Sequence, residues 1–487
     1  MSDLALYKKN EAFINFECEK SIAQEMSDYF TFYVPGYQFT PQYKSRVWDG
    51  KIRLADLRSF TIYHGLIPYI QKFCDERDYK LDIDPAVSVT TEFSGVEAKE
   101  LIQSLNLPFE VREYQWKSFI HAVRNKRVLL LSPTASGKSL ILYLILRYLQ
   151  QDHQRGLLIV PTTSLVEQMF TDFKSYGYDS DEYCHRQYSG KEKHTNKFLT
   201  ITTWQSIYKN EPEYFEQFDF VLGDEAHQFK AKSLTTILSN CINSKYRIGT
   251  TGTLDGTQTH RLVLEGLFGP VYQATSTAEL IEKKQLADFK IKCLILKHPD
   301  EICKMARGWD YDAEMDYIVR NDARNKFIKN LALSLEGNTL ILFQFVEKHG
   351  KELYPMIESE AKDRKTFFVY GGTEVADRES IRAITEKEKR TIIVASYGTF
   401  STGINIRNLH NIIFASPSKS RVRNLQSIGR GLRIGDDKEQ AVLFDIADDF
   451  RIGKFANFTL KHFIERVKIY DDEKFNYKFY NIELKNE

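Results

Sequence analysis

Several kinds of sequence feature are absent from this chain, and each absence excludes a class of protein. The six cysteines are scattered and no two form a C-x-x-C pair, so neither a zinc site nor a disulfide framework is predicted, and a reducing cytoplasm is expected. The first residues lack a basic segment followed by an apolar core, so we expect no secretory leader. Every apolar run is shorter than the roughly eighteen residues of a membrane span, so no membrane partner is expected.

The overall composition is that of an ordinary globular protein. A hydrophobic share of 42% and a charged share of 27% are both in the usual range for such chains. The length of 487 residues predicts about three domains of roughly 150 residues each. The net charge of +1 does not exclude nucleic acid as a partner, because a protein that follows a phosphate backbone needs only a local basic lining.

Residues 132–139 have the features of a phosphate-binding loop. They follow the apolar run 128–131 and precede the apolar run 140–146, which predicts a buried strand, a small-residue turn and a helix. Small residues let backbone N–H groups surround phosphates, and a helix N-terminus favours their negative charge. We expect Lys138 to reach the β and γ phosphates and the Ser139 hydroxyl to hold Mg²⁺. The residues predicted to bind the nucleotide here are Ser132, Thr134, Ala135, Ser136, Gly137, Lys138 and Ser139.

A second motif, Asp224-Glu-Ala-His227, stands at the end of the apolar run 220–223. Asp224 is the expected second metal ligand, and Glu225 is expected to orient the attacking water. A Gly-Lys-Ser sequence alone arises often by chance, and the first loop position here is Ser132 rather than glycine. Together, the two motifs predict an enzyme that hydrolyses a nucleoside triphosphate, with Lys138, Asp224 and Glu225 as catalytic residues.

The chain is predicted to have four blocks: residues 1–88, 89–280, 281–450 and 451–487. Apolar strands alternate with helical patterns in the two central blocks, which predicts parallel sheets flanked by helices. The predicted strands are 128–131, 156–160, 198–202, 220–223, 246–250, 339–343, 366–370, 391–395, 411–415 and 441–446. The fold class is therefore α/β, with two parallel-sheet domains in tandem, a small N-terminal α+β domain and a short helical C-terminal tail. The charged stretch 296–312 is predicted to be irregular, and the tail is predicted to be a helix followed by a mixed-charge end. Because only the first half has a phosphate loop, we expect the nucleotide to bind between the halves.

Further short motifs follow in the order that is typical of superfamily 2 helicases with a DEAH-like box. The matching segments are residues 112–115, 161–168, 202–206, 251–253, 342–345, 370–372, 401–405 and 426–433. Each motif alone is no more than a turn or a strand end, but the ordered set resembles this helicase family. The resemblance implies two RecA-like domains and ATP with Mg²⁺ as the nucleotide and metal.

The resemblance also implies roles for individual residues. Gln115 would read the adenine edge, and Gly403 would lie at the nucleotide. Arg430 and Arg433 would act as catalytic arginine fingers on the γ-phosphate. Asn405 stands where the family often has aspartate. The residues that would contact nucleic-acid phosphates are Thr162, Thr163, Thr203, Gln205, Gly371 and Gly372, and those that would couple the ATP site to the nucleic acid are His227, Thr251, Thr253 and Gln426.

At the subfamily level the chain resembles the UvsW-type branched-DNA helicases of phages, and more distantly the XPB and RecG motors. Segments 47–54, 267–270, 394–403 and 472–477 carry this resemblance beyond the shared motifs. It implies action on Holliday junctions, forks and R-loops in recombination, repair and recombination-dependent replication. The implied partners are branched, duplex and single-stranded DNA and an RNA–DNA hybrid. We expect a monomer in the cytoplasm of a host cell, with a single-strand-binding or recombination protein left open as a further partner.

The N-terminal block has two alternative interpretations. Arg46, Lys51 and Arg53 are predicted to form a basic face for the duplex backbone, around a hairpin turn at Trp48-Asp-Gly50. The alternative is a strand edge that charge protects from pairing with other chains.

Three other functions are alternatives to a DNA helicase. The first alternative is an RNA or RNA–DNA helicase. DEAD-box RNA helicases usually have the sequence Asp-Glu-Ala-Asp, whereas this chain has His227 at the last position, and DEAH-type RNA helicases have larger C-terminal domains. A restriction-enzyme motor would need a nuclease cluster that the sequence after the motor core does not show. A nucleic-acid-binding scaffold with residual ATPase is disfavoured because the predicted catalytic residues are all present.

Overall fold

The computed structural model of the protein describes most of the chain and divides into two compact units. The described residues are 2–87, 90–153, 155–188, 195–228, 231–254, 258–403, 406, 408–418, 420, 427–429, 440–453 and 455–484. The first unit comprises residues 1–132 and 137–274, and the second comprises residues 133–136 and 275–487.

The first unit begins with a small mixed sheet in the order β5-β6-β2-β1-β7. Only β1 and β7 pair in parallel, and the other neighbours are antiparallel, as expected of an α+β domain. A separate antiparallel pair joins β3 to β4. The elements are β1 (Leu4–Lys8), β2 (Phe13–Cys18), α1 (Lys20–Tyr29), β3 (Thr31–Tyr33), α2 (Pro41–Lys44), β4 (Lys51–Arg53), β5 (Ala55–Asp56), β6 (Thr61–Tyr63), α3 (Ile67–Asp75) and β7 (Leu81–Ile83).

The first unit continues with a seven-stranded parallel sheet in the order β10-β11-β9-β12-β13-β8-β14. Its central strands are buried on both faces, which explains their continuous apolar sequences. The elements are α4 (Gly95–Ser104), α5 (Glu113–Asn125), β8 (Arg127–Leu131), α6 (Lys138–Leu149), β9 (Gly156–Val160), α7 (Thr163–Ser175), α8 (Ser180–Tyr183), β10 (Cys184–Gln187), β11 (Leu199–Thr203), α9 (Trp204–Ile207), α10 (Pro212–Glu216), β12 (Phe220–Gly223), α11 (Ala231–Asn240), β13 (Tyr246–Thr251), α12 (Gln258–Phe268) and β14 (Val271–Gln273).

The small N-terminal sheet and the large parallel sheet share one hydrophobic core. A single cluster of buried side chains runs from Leu6 and Phe73 in the N-terminal part to Leu129 and Phe268 in the parallel-sheet part. At the seam between them, a Cβ added to Gly65 would fall on the carbonyl oxygen of Glu265, so only glycine permits this approach of the two backbones. The N-terminal block is therefore packed into the first unit rather than attached to it by a linker.

The second unit has its own seven-stranded parallel sheet, in the order β17-β18-β16-β19-β20-β15-β21. Its elements are α13 (Thr277–Glu282), β15 (Asp288–Lys297), α14 (Asp300–Ala306), α15 (Tyr311–Arg320), α16 (Asp322–Ser334), β16 (Thr339–Phe343), α17 (Lys351–Glu358), β17 (Thr366–Val369), α18 (Val375–Lys387), β18 (Ile392–Ser396), α19 (Tyr397–Gly403), β19 (Asn411–Phe414), β20 (Gln440–Asp449), α20 (Phe458–Asp472) and β21 (Asn476–Glu483).

Two tandem parallel sheets with a small mixed N-terminal sheet confirm the predicted fold class. All ten predicted strands are present, with ends that shift by a few residues at most. In the C-terminal part, Arg466 of α20 is fully buried and pairs with Asp445 of β20 at 2.8 Å, which fixes the predicted helix to the sheet. Across the described residues, no helix is long and apolar enough to cross a membrane.

Three local predictions were wrong. The mixed-charge end of the chain forms strand β21, which pairs with β15. The stretch 296–312, predicted to be irregular, contains the end of β15 and helix α14. Trp48-Asp-Gly50 does not close a two-residue hairpin: Gly50 leads into β4 with φ 80°, and β4 pairs with the distant β3. For β21, the end of β15 and β4, pairing partners far apart in sequence decided the structure, and local patterns do not specify such partners.

Candidate functional site

The phosphate-binding loop joins β8 to α6 at the carboxyl end of the parallel sheet. Its backbone enters the left-handed region at Ala135, with φ 69°, and at Gly137, with φ 79°. Alternation of this kind turns successive N–H groups toward a common concave side, which suits an anion. The Ser132 N–H donates to the carbonyl of Thr251 at 2.9 Å, and the Ser136 hydroxyl donates to the carbonyl of Pro133 at 2.7 Å. The loop conformation is thus held by one hydrogen bond to β13 and one within the loop. A positive φ at alanine is the kind of strain that functional loops retain.

Lys138 is the first residue of α6, and its ammonium lies among acceptors. Its Nζ lies 3.2 Å from Oε1 of Glu225 and 3.4 Å from the Ser132 carbonyl oxygen. The side chain is nearly buried, which removes most of the competing water from around this charge. The predicted phosphate-binding lysine and the predicted water-orienting carboxylate therefore lie in one site.

Asp224 and Glu225 place two carboxylates next to each other at the end of β12. Burial raises the pKa of Asp224 to about 6, the Glu225 carboxylate adds to the rise, and Lys138 opposes it. Oδ1 of Asp224 accepts a hydrogen bond from the Thr250 hydroxyl at 2.6 Å. Glu225 itself has φ 50°, an unusual backbone conformation for a glutamate. Because the pKa of Asp224 is raised and the Glu225 carboxylate contributes to the rise, additional positive charge at this site would be stabilising.

The donor set at this site fits Mg²⁺. This cation keeps several waters and takes only one or two protein carboxylates beside substrate phosphates. Asp224 would supply a carboxylate and Ser139 a hydroxyl. The Ser139 hydroxyl shares a hydrogen bond of 2.8 Å with the Tyr176 hydroxyl. Within the described parts of the chain, no group of three or more histidine, cysteine or acidic side chains forms an all-protein metal cage.

The predicted coupling residues of the first unit form a chain of polar contacts. Nδ1 of His227 lies 3.5 Å from Oε2 of Glu225 and 2.6 Å from the Thr251 hydroxyl. That hydroxyl donates to the Thr253 carbonyl at 2.8 Å, so His227 Nδ1 must be the donor to Thr251. Two consecutive hydrogen bonds therefore run from His227 through the Thr251 hydroxyl to the Thr253 carbonyl, beyond the end of β13.

Gln115, the residue predicted to read the adenine edge, lies against the loop. Its Oε1 accepts from the Arg112 N–H at 3.0 Å, and its Nε2 lies 2.5 Å from the point where a Cβ on Gly137 would be. Gly137 is thus needed both for its positive φ and for this close approach.

The predicted nucleic-acid contacts of the first unit lie at the carboxyl ends of β9 and β11. Thr162 caps α7, with its hydroxyl accepting from the Leu165 N–H at 3.3 Å, and Thr163 follows it on the surface. Gln205 is exposed and donates to the Pro161 carbonyl at 3.2 Å. Thr203 is different, because its hydroxyl is buried and lies 2.9 Å from the Ser206 hydroxyl.

In the second unit, Gly371 and Gly372 follow β17 and are exposed, with open space where a Cβ on Gly371 would lie. Gly403 is the last residue of α19. Arg430, Arg433, Gln426 and Asn405 lie outside the described residues, so their predicted roles stay predictions.

The three predicted basic residues of the N-terminal block lie close together in the chain but differ in surroundings. Arg46 is exposed and adopts φ 59°. Lys51 lies over the Tyr33 ring, with Nζ 5.0 Å from its centroid. Arg53 is paired with Asp49 at 2.5 Å, which lowers the pKa of that carboxyl. The charge of Arg53 is therefore partly neutralised by Asp49, and we expect Arg46 and Lys51 to attract a phosphate more strongly.

Two features of the site were missed from the sequence. Thr250 could have been identified, since Gly223 pairs with Gly249 in adjacent parallel strands and the next residues, Asp224 and Thr250, must then be neighbours. Tyr176, the partner of Ser139, follows the end of α7 and has no signal in the sequence around it.

Three family models match separate stretches of the chain. They are "DNA helicase UvsW, N-terminal" over residues 3–84, "Type III restriction enzyme, res subunit" over residues 108–256, and "Helicase conserved C-terminal domain" over residues 323–435.

Similar proteins and structures cover nearly the whole chain. The ATP-dependent DNA helicase uvsW of Enterobacteria phage T4 is 34% identical over 506 residues, covering 99% of this chain and 100% of that protein. The DNA 3′-5′ translocase XPB2 of Sulfurisphaera tokodaii is 23% identical, covering 74% of this chain and 88% of its own length. The crystal structure of T4 UvsW superposes with a TM-score of 0.53 at 32% identity, covering 99% of this chain and 100% of that one.

Proposed function

Because this chain belongs to the UvsW family and is an ATP-dependent DNA helicase, we propose that its substrates are branched DNAs: Holliday junctions, replication forks and R-loops. The resemblance that the motifs indicated is confirmed at the level of the family. The proposed setting is recombination, repair and recombination-dependent replication. An RNA–DNA hybrid would be displaced as the enzyme moves along the DNA of an R-loop.

The proposed ATPase chemistry follows from the contacts around the loop. On ATP binding, Lys138 would exchange Glu225 for the β and γ phosphates, and Glu225 would become available to orient the attacking water. Asp224 and Ser139 would hold Mg²⁺, which would neutralise charge on the phosphates. The hydrogen bond from His227 to Thr251 would then carry the change at Glu225 toward the strand ends that contact DNA.

One observation supports branched DNA above all: the N-terminal domain is built into the first motor unit. It shares a hydrophobic core with the parallel sheet, so a duplex held by this domain would be held in a constant position relative to Thr162, Thr163 and Gln205. A motor that pulls on one strand while a rigidly joined domain holds the adjoining duplex acts on two arms of the substrate. A branch point is where such arms meet.

The proposal is tested by comparing DNA substrates of equal nucleotide content. ATP hydrolysis and strand displacement would be measured on a Holliday junction, a fork, an R-loop, a linear duplex and a single strand. We expect the three branched substrates to give the highest stimulation and to be resolved into products. Equal stimulation by linear duplex and by the branched substrates would contradict the proposal.

Neutralising the basic face is expected to flatten the salt dependence of duplex binding. Each phosphate contact that is lost removes about 0.9 from the slope of log K against log salt concentration. The triple variant Arg46→Gln, Lys51→Gln, Arg53→Gln would be compared with the wild type in duplex titrations at several salt concentrations. Since Arg53 is already paired with Asp49, we expect it to contribute less than the other two.

A matched control exists in the same domain. Lys9, Lys20 and Lys80 are exposed lysines that lie outside the basic face, and their triple replacement by glutamine removes the same charge. The control should leave a slope close to that of the wild type. If the Arg46, Lys51 and Arg53 variant also keeps the wild-type slope, these charges protect a strand edge and do not bind DNA.

A further inference from the structure

The connection between β3 and β4 is built around stacked tyrosines. We refer to residues 33–51 as the aromatic tip. The Tyr33 and Tyr37 rings stack with centroids 4.7 Å apart, and Tyr43 meets Tyr37 edge-on at the same centroid distance. Gly50, with φ 80°, lies under the Tyr37 ring so closely that an added Cβ would be 2.7 Å from Cγ. Any side chain at this position would displace the ring, so the tip depends on this glycine.

Hydrogen bonds hold the tip as well. The Trp48 indole N–H donates to the Lys51 carbonyl at 2.9 Å, and the Val47 N–H donates to the Gln42 carbonyl at 3.0 Å. The Thr40 side chain caps α2. The tip therefore has one defined shape, and its exposed side chains are held where they are by the scaffold.

Two apolar side chains of the tip face water. Phe39 is 78% exposed and Val47 is 81% exposed, the highest values among the large hydrophobic side chains of the described residues. Exposed apolar area is unfavourable in water, and a rigid scaffold prevents these side chains from folding back onto the protein. Such side chains on an ordered support indicate a partner that covers them.

The charges of the tip and its flank indicate a polyanion. Residues 33–53 contain the cations Lys44, Arg46, Lys51 and Arg53 and a single acid, Asp49. Phosphates attract such a surface, and the ring of Phe39 suits the flat face of a base. Since the chain is a DNA helicase, the occupant that combines both properties is DNA with an uncovered base face.

We propose that the aromatic tip binds the branch point of DNA, with Phe39 and Val47 covering the base faces that lose their stacking neighbours there. This inference rests on the proposed function, which supplies branched DNA as the substrate. Proteins that insert apolar side chains between base steps of continuous duplex must first unstack those bases, at a cost in free energy. At an open branch point, where the arms are not stacked on one another, the terminal base pairs have already lost a stacking neighbour, so the same contact is made without that cost. The tip would thus distinguish a branch from a plain duplex, which the basic residues alone do not.

The test compares binding of a Holliday junction and of a linear duplex at one fixed salt concentration. The variants are Phe39→Ala and Val47→Thr, the second of which keeps the shape of the side chain. We expect Phe39→Ala to weaken junction binding about tenfold, the scale of one lost stacking contact, and to leave duplex binding unchanged. Val47→Thr should weaken junction binding in the same selective way but less. A fluorescent base analogue at the branch point should be quenched by the wild type and not by Phe39→Ala.

Matched controls come from exposed apolar residues outside the tip. Val96 is 65% exposed on α4 and Phe479 is 51% exposed on β21, so Val96→Thr and Phe479→Ala remove comparable exposed side chains. These controls should bind both DNAs as the wild type does. Thermal unfolding and ATP hydrolysis without DNA, measured on every variant, should not change, because all four side chains are on the surface and outside the ATP site.

The outcomes separate the inference from the function on which it rests. If the wild type prefers the junction and Phe39→Ala keeps that preference, the inference about the tip is wrong and branched-DNA function stands. The inference is equally wrong if Phe39→Ala weakens the binding of the junction and of the duplex to the same extent, since the tip would then contact only the DNA backbone. If the wild type itself binds junction and duplex equally, both proposals fail.

Discussion

Replacing Lys138 by alanine is expected to lower DNA-stimulated ATP turnover by on the order of 10²–10³-fold, the usual cost of removing one positioned group that stabilises transition-state charge. Two effects combine in this variant. The phosphates lose their ammonium partner, and Asp224 loses the cation that opposes the rise in its pKa. Asp224 would then be protonated over a wider pH range and hold Mg²⁺ less well. Steady-state ATP hydrolysis at saturating DNA measures the loss.

Controls for this variant separate a damaged site from a damaged fold. Lys117 on α5 pairs with Glu113 on the surface, and Lys117→Ala removes a lysine without touching the loop. It should hydrolyse ATP at the wild-type rate, and both variants should unfold at about the wild-type temperature. Near-normal turnover in Lys138→Ala would refute the assignment of the phosphate loop.

Glu225→Gln should retain ATP and DNA binding while losing hydrolysis, since it keeps the metal and phosphate contacts and weakens only the orientation of water.

The site could be predicted from the sequence to the extent that its contacts are set by strand order and by short motifs. Buried parallel strands have continuous apolar sequences, so all ten of those predicted were found, and the residues that follow them meet at one edge of each sheet. The approach of Lys138 to Glu225 and of His227 to Thr251 follows from that rule alone. Even the Asp224–Thr250 hydrogen bond could have been derived by extending the register by one residue.

Contacts between elements that are distant in sequence could not be predicted in this way. Strand β21 looks like a charged tail because it is a largely exposed edge strand, with no apolar run to identify it. The aromatic tip separates β3 from β4, so the pairing of these two strands is not local in sequence. The seam between that domain and the parallel sheet depends on glycines such as Gly65, and a glycine without a turn motif around it does not indicate what approaches it.

That seam changes what is expected when the N-terminal block is altered. The nucleotide motifs all lie at or beyond Arg112, so the sequence alone would allow residues 1–88 to be removed without loss of basal ATPase. The shared core contradicts this expectation, because Phe73 and Leu6 belong to the same buried cluster as Leu129 of the strand that leads into the phosphate loop. A motor without its N-terminal block would expose that part of the core to water.

A single substitution tests the seam without removing any chain. Gly65→Ala would place a Cβ on the Glu265 carbonyl oxygen and 2.8 Å from the Gly266 carbonyl oxygen, and neither backbone atom can rotate away. The seam must then open, which also strains the contacts that the Glu265 carboxylate makes with the Tyr69 hydroxyl and the Val271 N–H. We expect the free energy of unfolding of the first unit to fall by about 1–3 kcal/mol or more, the range found for overpacked cores.

Amide hydrogen exchange measures this loss separately in each unit, as a protein of two units does not unfold in one step. Protection should fall in α3 and α12, on either side of the seam, and remain unchanged in the second unit. Gly308→Ala is the matched control, because a Cβ there meets only the Met305 carbonyl oxygen, at an ordinary 3.7 Å. Unchanged protection of α12 in Gly65→Ala would mean that the two backbones can move apart at the seam without loss of stability. The N-terminal domain could not then hold DNA in a constant position relative to the motor. Reduced protection together with reduced DNA-stimulated ATP hydrolysis would show that the motor depends on this domain for its stability as well as for DNA binding.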